Sequence, residues 1–149
     1  MGAFELTREI ARDPATVWGV LGDVERTPEW YEAIVRVTPL AAPAVDAGAG
    51  ARFELVRALP GGQAINVVEV TEFEPLERLT LTSRSGPTPF TYRYSLEPSP
   101  TGTRLTLHGD ISAEGLSGPA GLLGPLATPL FKNGMRTNLG VLARLVEGS

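Results

Sequence analysis

Leu130-Phe131-Lys132-Asn133-Gly134-Met135-Arg136-Thr137-Asn138-Leu139-Gly140-Val141-Leu142-Ala143-Arg144-Leu145-Val146 is the stretch on which the fold turns. At 3.6 residues per turn, Phe131, Met135, Asn138, Leu142 and Leu145 fall on one narrow stripe, while Lys132, Arg136, Arg144 and Glu147 face away. The pattern predicts one long amphipathic helix over residues 130–146, with Gly148 placed as its stop. Before it, most of residues 35–113 reads as strand, and before that come a first strand and two short capped helices. A curved sheet gripping a single long helix cannot fill its interior with side chains alone. This order therefore predicts a hollow, mostly apolar pocket that holds a small hydrophobic molecule.

Working outward, residues 103–113 form the clearest strand. Leu105, Leu107, Gly109 and Ile111 share one face, and Arg104, Thr106, His108 and Asp110 the other. Phe90, Tyr92, Tyr94 and Leu96 likewise share a face within residues 90–97. Further strands are expected at residues 35–40, 51–58, 63–73 and 78–84. In residues 63–73 apolar side chains fall on both faces, which leaves the register open and admits a bulge. Connections bearing Gly or Pro, such as Pro60-Gly61-Gly62 and Gly86-Pro87, make an antiparallel meander the economical topology.

Residues 4–10 nearly alternate apolar and polar, as a half-buried edge strand does. Asp13 is then a helix N-cap and Pro14 a first helical residue, where a missing N–H costs nothing. Val17, Trp18, Val20, Leu21 and Val24 give that helix its apolar side. Thr27-Pro28-Glu29 repeats the device and predicts a second short helix carrying Trp30, Tyr31 and Ile34. Before the closing helix, residues 118–129 carry three prolines and three glycines, which argues against regular helix there.

The 149 residues are expected to form a single domain with a real core, and the net charge of −4 offers no basic stripe for nucleic acid. No apolar run approaches the roughly 20 residues that cross a bilayer, and the N-terminus lacks the pattern of a secretory signal. With no cysteine, disulfides and thiolate ligands are absent. The single His108 cannot build a histidine metal site, and its place beside Asp110 on a polar strand face reads as solvent exposure. Glu72, Glu74 and Glu77 around Pro75 read as a solvated turn, and Gly48-Ala49-Gly50 lacks the strand–turn–helix setting of a phosphate loop. A cytoplasmic chain without metal or cofactor is expected. Its partner is a small hydrophobic molecule, with no nucleic acid and no integral membrane segment, and it is a monomer or weak homodimer.

Four segments then carry a resemblance: Asp13-Pro14-Ala15-Thr16-Val17-Trp18, the run from Asp23 to Pro28-Glu29-Trp30, Phe73-Glu74-Pro75-Leu76-Glu77-Arg78-Leu79, and Gly102-Thr103-Arg104-Leu105-Thr106. In that order, across essentially the whole chain, they resemble the START-like (SRPBCC, helix-grip) superfamily, and within it the polyketide cyclase/dehydrase-type proteins. The resemblance implies an α+β helix-grip fold: a curved antiparallel sheet of about seven strands wrapped around a long C-terminal helix, with two short helices after the first strand. It is specific for the fold and not for a function, because the superfamily hosts carriers, hormone receptors, cyclases and co-activator proteins.

The expected ligand-binding residues are Trp30, Phe53, Leu55, Leu81, Tyr92, Tyr94, Leu105, Leu107, Phe131, Met135 and Asn138; no catalytic residue is legible. Asn138 stands out as an amide in an apolar stripe, where an unpaired one costs about 1–3 kcal/mol. It either bonds a ligand oxygen or pocket water, or ties the helix to a sheet or loop carbonyl. The hydroxyls of Tyr92 and Tyr94 orient an oxygenated ligand if their face is concave, and are cross-strand packing if it is convex. Trp30 caps the pocket mouth or staples its helix; Trp18 is core. The parity of Arg52, Arg57 and Arg84 stays open, and an arginine inside the pocket implies an enolate- or carboxylate-bearing ligand. Besides simple binding, the resemblance allows an aromatase/cyclase that guides aldol closure and water loss of a poly-ketone, with Tyr92, Tyr94 and Asn138 as orienting groups. It also allows a non-enzymatic interaction protein using Leu122, Leu123, Leu126 and Leu130 as a docking lid.

Overall fold

In the computed structural model, which describes residues 2–41, 48–59, 61–112 and 127–148, six consecutive strands run as an antiparallel meander. They are β2 (Ile34–Ala41), β3 (Arg52–Leu59), β4 (Gly62–Glu74), β5 (Arg78–Ser85), β6 (Phe90–Ser99) and β7 (Gly102–Ile111). The first strand, β1 (Gly2–Ile10), pairs with the far end of the meander and makes the order β1-β7-β6-β5-β4-β3-β2. Two edges therefore remain, one at β1 and one at β2. Helix α1 (Pro14–Leu21) and a 3-10 helix (Val24–Glu29) link β1 to β2, and α2 (Ala127–Glu147) closes the chain. This is the helix-grip arrangement expected from the sequence.

Strand parity sorts the two faces. Phe90, Tyr92, Tyr94 and Leu96 of β6 and Leu105, Leu107 and Ile111 of β7 are buried on the concave face. Gly109 sits among them, and a Cβ there would collide with the Phe4 ring. Its missing side chain lets Phe4 reach Tyr92, edge to face at 6.1 Å. The convex face carries cross-strand ion pairs: Glu69 with Arg52 and Arg84, Glu72 with Arg78 and Arg93, and Glu9 with Arg104. His108 is exposed there beside Glu5, at 3.2 Å.

β4 resolves the ambiguity of its sequence with a bulge. Val70 pairs with Leu81 and Glu72 with Thr80, so Thr71 is the extra residue. One inserted residue flips parity, which is why Val68 and Val70 before it and Phe73 after it all pack against the core.

The helices depart from expectation in three ways. α1 starts as predicted, with the Thr16 N–H donating to Asp13 Oδ1 at 3.2 Å and Pro14 in the first turn. The second helix, however, begins three residues earlier than Thr27. The Thr27 hydroxyl donates back to the Val24 carbonyl at 2.6 Å instead of capping a new turn, so Trp30 ends the 3-10 helix and Ile34 opens β2. Trp18 is half-buried, edge-on to Phe73 at 5.3 Å. In α2 the helix starts at Ala127, because Pro129 falls in the first turn, where no intrahelical N–H bond is lost. Its buried face is centred on Met135, Leu139, Leu142, Ala143 and Val146, with Phe131 and Leu145 at the flank. The rotation follows from packing: α2 lies chiefly against β1, with further contacts to α1 and β7. Its far end is pinned where the Ala11 N–H donates to Glu147 Oε2 at 2.9 Å. Leu122, Leu123 and Leu126 of the expected lid lie outside the described residues; Leu130 is exposed.

Candidate functional site

The chemistry begins at β3. Phe53, Leu55 and Arg57 share its inner parity, and Arg57 is only 2% exposed. Its Nη1 donates to Asn66 Oδ1 at 2.9 Å, to Thr88 Oγ1 at 2.6 Å and to the Pro87 carbonyl at 3.4 Å. The guanidinium also lies 5.2 Å above the Phe90 ring. Among the described residues, no carboxylate forms a salt bridge with it, and Nε and Nη2 make no hydrogen bond. A cation taken out of water without a counter-charge is costly. The β5–β6 turn is shaped to hold it: Thr88 has φ 49°, a left-handed conformation that strains a β-branched residue, and its buried hydroxyl bonds Arg57.

Arg57 forms part of the wall of a cleft of about 470 Å³ between α2 and the edge formed by residues 31–33 and 57–58. Tyr31, Leu130, Phe131 and Met135 give it an apolar lining, and the size suits a small molecule. Asn138 ties the helix to a loop, through a backbone N–H where a carbonyl was expected. Its Oδ1 accepts from the Glu32 N–H at 3.2 Å, which ties α2 to the loop before β2, while its Nδ2 has only the Met135 sulfur at 3.5 Å. Gly134 also lines the cleft, and a Cβ there would meet nothing within 4 Å. Glycine in mid-helix is unfavourable by about 0.8–1.0 kcal/mol relative to alanine, so leucine here should strengthen the helix and fill the cleft. Gly134→Leu is expected to raise the melting temperature and to weaken ligand binding about tenfold; a calorimetric melt and a titration check the two opposite signs.

Deeper in, a small void of about 10 Å³ remains between the sheet and the 3-10 helix, lined by Trp30, Tyr31, Leu55, Leu81, Tyr92 and Tyr94 among others. Tyr31 is a wall of both spaces. Burial pushes the Tyr31, Tyr92 and Tyr94 hydroxyls above the usual phenol range, with the Arg57 charge opposing the shift at Tyr31 and Tyr92. All three therefore stay protonated at neutral pH and act as hydrogen-bond donors or acids rather than bases. Among the described residues, the Tyr92 hydroxyl stands beside that of Tyr31 yet makes no hydrogen bond of ordinary geometry, and neither does Trp30 Nε1.

The expected site residues are thus divided. Phe131, Met135 and Asn138 line the cleft; Trp30, Leu55, Leu81, Tyr92 and Tyr94 line the inner void. Leu105 and Leu107 line none of the three hollows and are fully buried in the core. Phe53 belongs to a separate hollow of about 520 Å³ beside the start of the 3-10 helix, walled by Val24, Leu40, Val70 and Phe73. That hollow is the larger, but its charged groups, Asp23 and Glu25, are exposed and it brings no buried polar group together. Arg57, Tyr31 and Gly134 were not among the expected site residues. The one local signal was the pairing of an arginine of open parity with the turn Gly86-Pro87-Thr88. Among the described residues, no group of three or more His, Asp or Glu side chains is placed to hold a metal, and no helix is long and apolar enough to cross a membrane.

Comparison with known proteins agrees with the fold. The structure is similar to TTHA0849 from Thermus thermophilus (21% identity, 97% of each chain covered, TM-score 0.79). It is also similar to the Zhui aromatase/cyclase from Streptomyces sp. R1128 (16% identity, 98% of this chain and 93% of that one, TM-score 0.80). A START superfamily protein from Mycobacterium smegmatis superposes with a TM-score of 0.71 at 20% identity, with 98% of this chain and 94% of that one covered. No curated protein matches the sequence. The family described as polyketide cyclase/dehydrase and lipid transport matches residues 1–147, and the chain belongs to that family.

Proposed function

We propose that the chain binds a small, largely apolar molecule, aromatic or lipid-like, that carries one acidic or enolic oxygen. The observation that carries this reading is Arg57: a buried guanidinium with no carboxylate partner among the described residues, in the wall of an apolar cleft. Apolar burial against Tyr31, Phe131 and Met135 supplies affinity at roughly 25 cal/mol per Å², and a charge-assisted hydrogen bond to Arg57 fixes the oxygen. Asn138 is a further polar residue of the lining, with Thr137 and the exposed Glu32.

Titration calorimetry with 2-naphthoate and with uncharged 2-methylnaphthalene tests it. The naphthoate is expected to bind at least about tenfold more tightly; equal affinities would remove Arg57 from the site. Phe131 is half-buried at the flank of α2, so Phe131→Asp is expected to leave the fold intact. It sets a negative charge beside an acidic ligand and should weaken naphthoate binding by about tenfold or more. Unchanged affinity in that variant would place the ligand elsewhere.

A second reading, an aromatase/cyclase, is favoured by the protonated Tyr31 next to the Arg57 charge. In a folded poly-ketone, the guanidinium would stabilise an enolate oxygen and the phenol would protonate the alkoxide formed as the new carbon–carbon bond closes. Holding the chain folded is itself worth several kcal/mol. Two similar structures are named as aromatase/cyclases, one from Streptomyces and one the di-domain protein StfQ of the steffimycin pathway. Incubation with a reactive poly-ketone and mass detection of the dehydrated ring product separates turnover from holding.

A further inference from the structure

The inner void is chemically distinct from the cleft above it. Among the described residues, two of its buried polar groups make no hydrogen bond of ordinary geometry: the indole N–H of Trp30, 3% exposed, and the hydroxyl of Tyr92, 1% exposed, which has the Tyr31 hydroxyl beside it. Buried polar groups are nearly always paired, and each one left unpaired costs about 1–3 kcal/mol. An indole N–H can only donate, and a phenol held neutral by burial donates readily. Two such groups line one small space whose other walls include Leu55, Leu79, Leu81 and Phe90. The partner they fit is a neutral acceptor oxygen on an apolar body. The Tyr31 ring is the shared wall between this space and the cleft. It lies in the short loop between the 3-10 helix and β2.

We propose that the inner void is the deep half of the binding site, in which Trp30 Nε1 and the Tyr92 hydroxyl donate to a carbonyl or ether oxygen at the inner end of the ligand. This rests on the reading of the cleft as a ligand site and narrows its ligand class. The molecule carries two oxygen functions, an acidic or enolic one at Arg57 and a neutral acceptor at its far end, with an apolar body between them. Tyr31 yields as the ligand enters.

The test compares 2-naphthoate with 6-acetyl-2-naphthoate, which adds one carbonyl at the far end of the ring system. Wild-type protein is expected to prefer the acetyl compound by about tenfold. In Tyr92→Phe and in Trp30→Phe that preference is expected to fall towards one. Tyr92→Phe should also leave the melting temperature of the free protein unchanged or higher, because the hydroxyl removed makes no hydrogen bond of ordinary geometry. If 2-naphthoate binds but the acetyl group adds nothing, or if both variants keep the preference, the deep subsite is wrong while the cleft reading stands. A lowered melting temperature in Tyr92→Phe would show that hydroxyl to be bonded within the free protein and would equally overturn the subsite. If neither compound binds wild-type protein, the cleft reading falls and this inference with it.

Discussion

Arg57→Met is expected to weaken binding of an acidic aromatic ligand by about 30- to 1,000-fold, the about 2–4 kcal/mol lost when one partner of a buried, hydrogen-bonded charge pair is removed. Methionine keeps much of the side-chain volume and removes the charge. Among the described residues, the guanidinium of the free protein has only neutral partners, Asn66, Thr88 and the Pro87 carbonyl. Removing it relieves the cost of burying a cation but leaves Asn66 Oδ1 and the Thr88 hydroxyl short of a donor, so the two effects oppose each other. Folding stability is therefore expected to change little while binding collapses. Urea denaturation and titration calorimetry on the same preparation separate the two. Arg57→Lys should fall between, because an ammonium retains the charge but not the flat guanidinium that lies over Phe90 with Nε and Nη2 left to bond a ligand oxygen. Should Arg57→Met bind naphthoate as wild type does, the cation would be a structural device of the β5–β6 turn and no part of a site.

Leu105→Ala is expected to destabilise the fold by about 2–5 kcal/mol, the range for a leucine emptied from a rigid core. Leu105 is 0% exposed. It lies on β7 between Arg8 of β1 and Leu96 of β6, in the part of the sheet that faces α2. Domains of this size have only about 5–15 kcal/mol to lose, so the urea midpoint should fall steeply with an unchanged slope. This outcome also tests whether Leu105 is core or pocket lining. A cavity wall already facing empty space loses fewer contacts on truncation, and a change below about 1 kcal/mol would mark the region as hollow.

Much of the architecture was legible because it is written in short-range patterns. The alternation from Thr103 to Ile111, the Asp13-Pro14 cap and the 3.6-residue period after Leu130 each depend on neighbours a few positions away. Their order was enough to reach the helix-grip fold. The misplaced second helix shows where local signals fail. Thr27-Pro28-Glu29 reads as a cap, but the Thr27 hydroxyl had two acceptable partners and took the Val24 carbonyl behind it. The helix face is turned slightly from the expected stripe: Met135, Asn138 and Leu142 are buried as read, but Leu139 and Val146 are buried more deeply than Leu145 and Phe131. Any face of a moderately amphipathic helix can be turned by a strand packed at its side, and here that strand is β1.

The site lay largely beyond the sequence. An arginine on a strand has a parity that one bulge can reverse, and β2 pairs with β3 through two register shifts. Whether Arg57 meets water or the interior was settled only when β3 took its place between β2 and β4, and when the strained turn at Thr88 closed over the guanidinium. Gly134 likewise gains its meaning from the cleft it lines together with Tyr31, about a hundred residues away in the chain. What the residues determined by themselves was the order of elements and the inward-facing stripes of β6 and β7, because those follow from backbone periodicity and the hydrophobic effect alone. Which polar groups those stripes enclose, and hence what the cleft can hold, was decided by tertiary packing. A buried charge is defined by its surroundings on every side, and no local pattern carries that information.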